Sequence, residues 1–203
     1  MKLLNKLKHM TFLILICLSL FGCDSKETVN IARDSVVVAF GDSLTLGVGV
    51  SDSHSYPSQL ESILGVKVIN SGISGQTSQQ GLARINEVLN EHLPDVVIIC
   101  YGGNDVLQRK SKSKLADNLS QMILAAKAKG IAVILVAVPD FGLRSSPMSL
   151  YQDLATEHDV VLVEDTLSDL LSNSSMKSDR VHLNEQGYKT LATSIAARIK
   201  IIE

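Results

Sequence analysis

The stretch V-V-V-A-F-G-D-S-L-T-L-G-V-G, residues 36–49, runs a β-branched strand directly into a glycine-bearing loop. Such a junction has two chemical readings: backbone N–H groups that cradle a phosphate, or a sharp turn that exposes a nucleophilic serine. Gly41, Gly47 and Gly49 do not form G-x-x-x-x-G-K-[ST], and G-V-G-V-S-D lacks the third glycine of G-x-G-x-x-G. Both nucleotide fingerprints are therefore missing, and a mononucleotide binder of flavodoxin-like type stays open on topology alone.

Outward from this junction the chain alternates short apolar runs with helical patterns. Residues 36–40, 66–70, 95–100, 131–138 and 160–164 are almost continuously apolar, as strands buried on both faces are. Between them, Leu82, Ile85, Val88 and Leu89 share one helical face, and so do Leu115, Leu119, Met122, Ile123 and Ala126, with Gly130 placed to end that helix. Ser146 and Pro147 read as an N-cap and first helical position ahead of Leu150 and Leu154. A last helix is expected to carry Tyr188, Leu191, Ile195, Ile199 and Ile202. Strands each followed by a helix predict an α/β fold, a three-layer α/β/α sandwich around a five-stranded parallel sheet, over residues 35–203.

The composition limits the functions this sheet can serve. With 203 residues, 45% of them hydrophobic, the chain suffices for one domain with a sizeable core. A formal net charge of -2 leaves no basic surplus for phosphate backbones, so no nucleic-acid partner is expected. The first 22 residues differ in kind. Lys2, Lys6 and Lys8 precede the apolar segment M-T-F-L-I-L-I-C-L-S-L-F, which suits the h-region of an export signal. The following L-F-G-C, residues 20–23, resembles the lipobox of bacterial lipoproteins, which implies a lipid-bearing thiol at Cys23 and a signal peptide over residues 1–22. An ordinary signal peptide or an uncleaved anchor is the plainer alternative. Loss of three lysines would take the formal charge from -2 to -5. Residues 23–34 would be a polar tether, and a mature chain beginning at Cys23 would keep Cys100 as its one further thiol. A cell-envelope protein, periplasmic or otherwise extracytoplasmic and held to a bacterial membrane by this lipid, is the expectation.

Ligands of open parallel sheets bind beyond the carboxyl ends of the strands. The segments that follow the strands are G-D-S-L-T, S-G-I-S-G-Q-T, Y-G-G-N-D and, past a short helical stretch, S-D-R-V-H-L-N. Singly, each is bland: D-x-x-H reads as a turn with surface polar groups, and G-G-N-D as a tight turn. No serine meets G-x-S-x-G, because threonine follows Ser43 at the last place and glutamine follows Ser74. Together and in order, Gly41 to Leu44, Asn70 to Thr77, Gly102 to Asp105 and Asp179 to His182 resemble the four sequence blocks of the SGNH (GDSL) hydrolase superfamily. The run S-G-Q-T-S-Q-Q-G-L-A-R, residues 74–84, is similar to that of its bacterial periplasmic thioesterases, lysophospholipases and arylesterases.

The resemblance implies a nucleophile at Ser43, a general base at His182 and its orienting acid at Asp179. It also implies oxyanion donors in the Ser43 N–H, the Gly75 N–H and the Asn104 side-chain amide. Gly75, rather than Gly72, matches because it precedes Q-T. Arg180 and Leu183 depart from the superfamily's D-G-x-H-P block. Such a site needs no metal and no organic cofactor, and a monomer is expected to act on a small-molecule acyl ester, thioester or lysophospholipid. A carbohydrate O-acetylesterase is the rival within the superfamily, and a non-catalytic lipoprotein binding module the rival outside it. The loop Pro139 to Pro147 has no readable role.

Overall fold

The computed structural model describes residues 28–140 and 146–202. The expected signal segment, the lipidation residue Cys23 and the middle of the Pro139 to Pro147 loop lie outside the described residues. Chain order begins with β1 (Val29–Ile31), β2 (Val36–Gly41), the single turn α1 (Ser43–Leu46), α2 (Tyr56–Leu64) and β3 (Lys67–Gly72). It continues through α3 (Ser78–His92), β4 (Val96–Cys100), α4 (Gly103–Leu107), α5 (Lys112–Lys127) and β5 (Ala132–Val136). After the two-residue strands β6 (Pro139–Asp140) and β7 (Ser146–Pro147) come α6 (Ser149–His158), β8 (Val161–Val163), α7 (Thr166–Ser172), α8 (Glu185–Ala196) and β9 (Ile199–Ile201).

The central sheet has five parallel strands in the order β3-β2-β4-β5-β8. Val37, Val38, Ala39 and Phe40 of β2, and all of β4, are buried, because helices cover both faces. Helix α2 packs against α8, while α3, α5 and α6 pack in series. The predicted apolar stripes account for this: Ile85, Val88 and Leu89 of α3 and the five chosen residues of α5 are buried. Gly41 pairs with Gly72 on one side and Cys100 on the other. That register ends three neighbouring strands at one level, so the loops after β2, β3 and β4 emerge side by side.

Three expectations need correction. Part of the expected tether is a strand: β1 pairs in parallel with β9, burying Val29, Ile31 and Ile199 while Asn30 and Lys200 face outward. The last helix accordingly stops at Ala196. Its apolar residues fit a four-residue repeat as far as Ile199, but I-K-I also has the alternation of a strand, and a partner strand was available to pair with it. Ser146 and Pro147 do not open a helix; they pair antiparallel with Pro139 and Asp140, and α6 begins at Ser149 after Met148. Proline's fixed φ suits an edge strand as well as a helical first turn.

Candidate active site

The turn after β2 is shaped by close contacts. A Cβ on Gly41 would lie 2.1 Å from Thr45 Oγ1 and 2.5 Å from the Cys100 carbonyl oxygen, so no larger residue fits between the turn and β4. Asp42, 2% exposed, caps α1 by accepting the Leu44 N–H at its Oδ1, 3.1 Å away. Ser43 is thereby the first residue of a helical turn, where the backbone N–H has no carbonyl partner within the helix. Its Oγ lies 3.0 Å from Nε2 of His182.

His182 is held by a narrow loop. Lys177 and Leu183 form a bridge, the Ser178 N–H donates to the His182 carbonyl, and buried Leu183 anchors the segment in the core. Asn184 then caps α8 by accepting the Gly187 N–H. Asp179 Oδ2 is 2.7 Å from His182 Nδ1, while its Oδ1 accepts the N–H groups of Val181 and His182, each at 2.8 Å. Slight burial pushes the Asp179 carboxyl up, but the bonds from the His182 ring and the two backbone N–H groups outweigh it and bring it down to about 2. An ionised carboxylate only accepts, so Nδ1 carries the ring proton and Nε2 is free to accept from Ser43.

These groups open into a cavity of about 190 Å³ that also contains Gly75 and Asn104. Gly75 adopts a φ of +80° with open space where a Cβ would be. Gly72 differs: the backbone of α1 sits on it, 2.2 Å from a built Cβ, and it does not line the cavity. Among the described residues, neither the Ser43 nor the Gly75 N–H has a protein acceptor. Asn104, in the turn α4, aims Nδ2 at the Gln76 carbonyl (2.9 Å) and at Asp42 Oδ2 (3.3 Å). The cavity thus gathers Ser43, Gly75, Asn104 and His182 of the residues singled out in the sequence, with Asp179 behind the His182 ring. Leu44, Leu107 and Val181 supply its apolar wall. A larger hollow of about 290 Å³, bordered by Val29, Lys127 and Val161, contains no Ser43-like grouping. Among the described residues no three His, Cys, Asp or Glu side chains converge as a metal site requires.

Three supporting residues escaped sequence reasoning. Arg84 of α3 donates to Gln76 Oε1, to the Ser71 Oγ and carbonyl, to the Gly41 carbonyl and to the Tyr101 hydroxyl, with its guanidinium 4.1 Å above the Phe40 ring. Asp105 is buried and accepts the Ser78 N–H and Oγ–H, and Asn118 donates to that same Oγ, tying α3, α4 and α5 together. Burial raises the Asp42 carboxyl to about 7, against the Leu44 N–H and His182, which lower it. For Arg84 a signal existed, a cation at helical spacing from the buried Gly81 and Val88. For the two acids, burial gives the role, and a single loop residue does not announce its burial.

The model of the GDSL-like Lipase/Acylhydrolase family matches residues 39–190. An arylesterase of Vibrio mimicus is 33% identical over 196 residues, covering 91% of this chain and 96% of the relative. Thioesterase 1/protease 1/lysophospholipase L1 of Escherichia coli strain K12 is 30% identical over 200 residues, 95% of this chain and 92% of its own. The crystal structure of TesA superposes with a TM-score of 0.71 at 27% identity, over 79% of this chain and 95% of that one.

Proposed function

The chain belongs to the GDSL-like Lipase/Acylhydrolase family and hydrolyses ester bonds, and from that premise we propose that Ser43, His182 and Asp179 cleave acyl esters and thioesters, lysophospholipids among them. The observation that carries this reading is the unbroken line from Asp179 Oδ2 through His182 to Ser43 Oγ, at 2.7 and 3.0 Å, opening on two unpartnered N–H groups.

The chemistry follows from the protonation states. Neutral His182 accepts the Ser43 proton at Nε2 as Oγ attacks the carbonyl carbon, and Asp179 stabilises the imidazolium. Negative charge gathers on the former carbonyl oxygen, where the N–H groups of Ser43 and Gly75 and the amide of Asn104 meet it. The imidazolium then protonates the departing alkoxide or thiolate. Water, deprotonated by His182, attacks the acyl-serine, and Oγ takes the proton back as the acid leaves. The protein's own residues fill every role in this cycle.

A fluorophosphonate probe tests the assignment: it is expected to label the protein and to fail on Ser43→Ala, and equal labelling of both would overturn it. A series of p-nitrophenyl esters from acetyl to palmitoyl sets the substrate class. Turnover extending to long chains is the expected result, since Leu44, Leu107 and Val181 offer an apolar wall; acetyl-only turnover would make it an O-acetylesterase instead. We further propose that the enzyme works as a monomer on the extracytoplasmic side of a bacterial membrane, anchored by lipid on Cys23. Metabolic labelling with radioactive palmitate, lost in Cys23→Ser, is the expected outcome.

A further inference from the structure

Asn104 has one amide nitrogen and therefore two hydrogens to donate. Both are engaged: one with the Gln76 carbonyl at 2.9 Å, the other with Asp42 Oδ2 at 3.3 Å. The esterase reading asks Asn104 to donate to the oxyanion, so one partner has to be released in each catalytic cycle. The Gln76 bond is the shorter, and Gln76 is itself gripped through its side chain by Arg84 and the Tyr101 hydroxyl. The Asp42 bond is longer and correspondingly weaker, and Asp42 borders the same cavity as Ser43 and Asn104.

We propose that Asp42 is a positioning residue for the oxyanion site: it holds one amide hydrogen of Asn104 between turnovers and yields it to the reacting oxygen, most readily as a neutral acid. This inference rests on the reading of the cavity as an ester-hydrolysing site. The exchange keeps the count of hydrogen bonds constant while Gln76 keeps the amide plane oriented. Charge on Asp42 opposes it twice. A carboxylate holds the Asn104 N–H more strongly than a carboxylic acid does, and it places a second negative charge near the developing oxyanion.

The surroundings favour the neutral form. Burial raises the Asp42 carboxyl to about 7, the Leu44 N–H and His182 oppose that rise, Asp105 adds to it, and Asn104 opposes it weakly. Of the ionisable groups around Asp42, His182 lies on the loop before α8 and Asp105 on α4. Cys100 on β4 and the hydroxyls of Tyr56, Tyr101, Tyr151 and Tyr188 are all pushed upward by burial, so they stay neutral in the working range.

The test is the pH dependence of kcat on a p-nitrophenyl ester, from about pH 5 to about pH 8.5, in the wild type, Asp42→Asn and Asn104→Ala. The wild type is expected to lose about fivefold as Asp42 ionises, the equivalent of about 1 kcal/mol by which a hydrogen bond to a charged acceptor exceeds one to a neutral acceptor. Asp42→Asn is expected to lose this fall. Asn104→Ala, slower throughout, is expected to show a smaller fall than the wild type, keeping only the part due to repulsion between the carboxylate and the oxyanion. A falling limb that survives in Asp42→Asn, is undiminished in Asn104→Ala, or is missing from the wild type overturns the proposal. Should Asp42→Asn fail to fold, as judged by circular dichroism, Asn104→Ala decides. Failure of the esterase reading is distinguishable, since then no protein turns over ester and the fluorophosphonate does not discriminate Ser43→Ala.

Discussion

Arg84 shows how one side chain can serve both of the oxyanion donors proposed outside the Ser43 turn, Gly75 and Asn104, by holding Gln76. It fixes the Gln76 side chain, Gln76 follows Gly75, and the Gln76 carbonyl orients Asn104. Arg84→Met preserves length and apolar volume but removes the donors, so Gly75 and Asn104 are expected to drift together. A small misplacement of such groups lowers kcat by about 10- to 100-fold, and KM is expected to change little, because the loss falls in the transition state. Asn104→Ala alone should lower kcat by ~10²–10³. If Arg84 acts through Asn104, the double variant will be less impaired than the product of the two single effects, which steady-state kinetics on the four proteins measures. Ser43, Gly75, Asn104, Asp179 and His182 could be singled out in the sequence only because four polar blocks, each bland alone, follow strands in the order of the SGNH hydrolases. Arg84 and Asp42 could not be, since their roles depend on what surrounds them: the first reaches across from a helix to the ends of β2 and β3, and the second is buried at the edge of the cavity.

At the scale of elements, the apolar runs specified the parallel sheet well because both of its faces are covered, which leaves nearly unbroken V, I, L and A sequences. The β1 and β9 strands were hidden for the opposite reason. Each is three residues long with one polar residue between two apolar ones, too short a pattern to outweigh the helical repeat that leads into β9. Their pairing closes the chain on itself: the Val29 N–H donates to the Arg198 carbonyl, and the Ile202 N–H to that of Ile31. Ile31, 4% exposed, therefore contributes as a core residue despite its place near the expected tether. Ile31→Ala is expected to cost about 2–4 kcal/mol in urea unfolding, whereas Asn30→Ala, on the outward face, should stay within about 0.5 kcal/mol. Equal effects would show that the strand adds nothing to the domain.

For the whole molecule, the two acids of the site act on stability in opposite senses and in different pH ranges. Asp179 is depressed to about 2 from 3.8, so its contribution is present above about pH 4 and lost as pH falls toward 2, reduced by its half-exposed position. Asp42 is raised to about 7 from 3.8. Between those values the unfolded carboxyl has released its proton while the folded one retains it, so stability falls as pH rises through this window and levels off above about 7. The ceiling on that loss is about 4 kcal/mol. A fold that shields a carboxyl beside its nucleophile thus gives up stability at neutral pH for a polar group that the sheet and its helices could have replaced with an apolar one. Asp42→Asn has no proton to release, so its melting temperature is expected to vary less between about pH 4 and about pH 7 than that of the wild type. The diagnostic quantity is the difference between the two curves, because all other carboxylates cancel in it and the constant effect of the altered capping bond shifts it without tilting it. Calorimetry across that range should give a difference that grows steadily with pH in favour of the variant. A flat difference would mean that Asp42 is already ionised at pH 4 in the folded protein and that its burial is offset by hydrogen bonding.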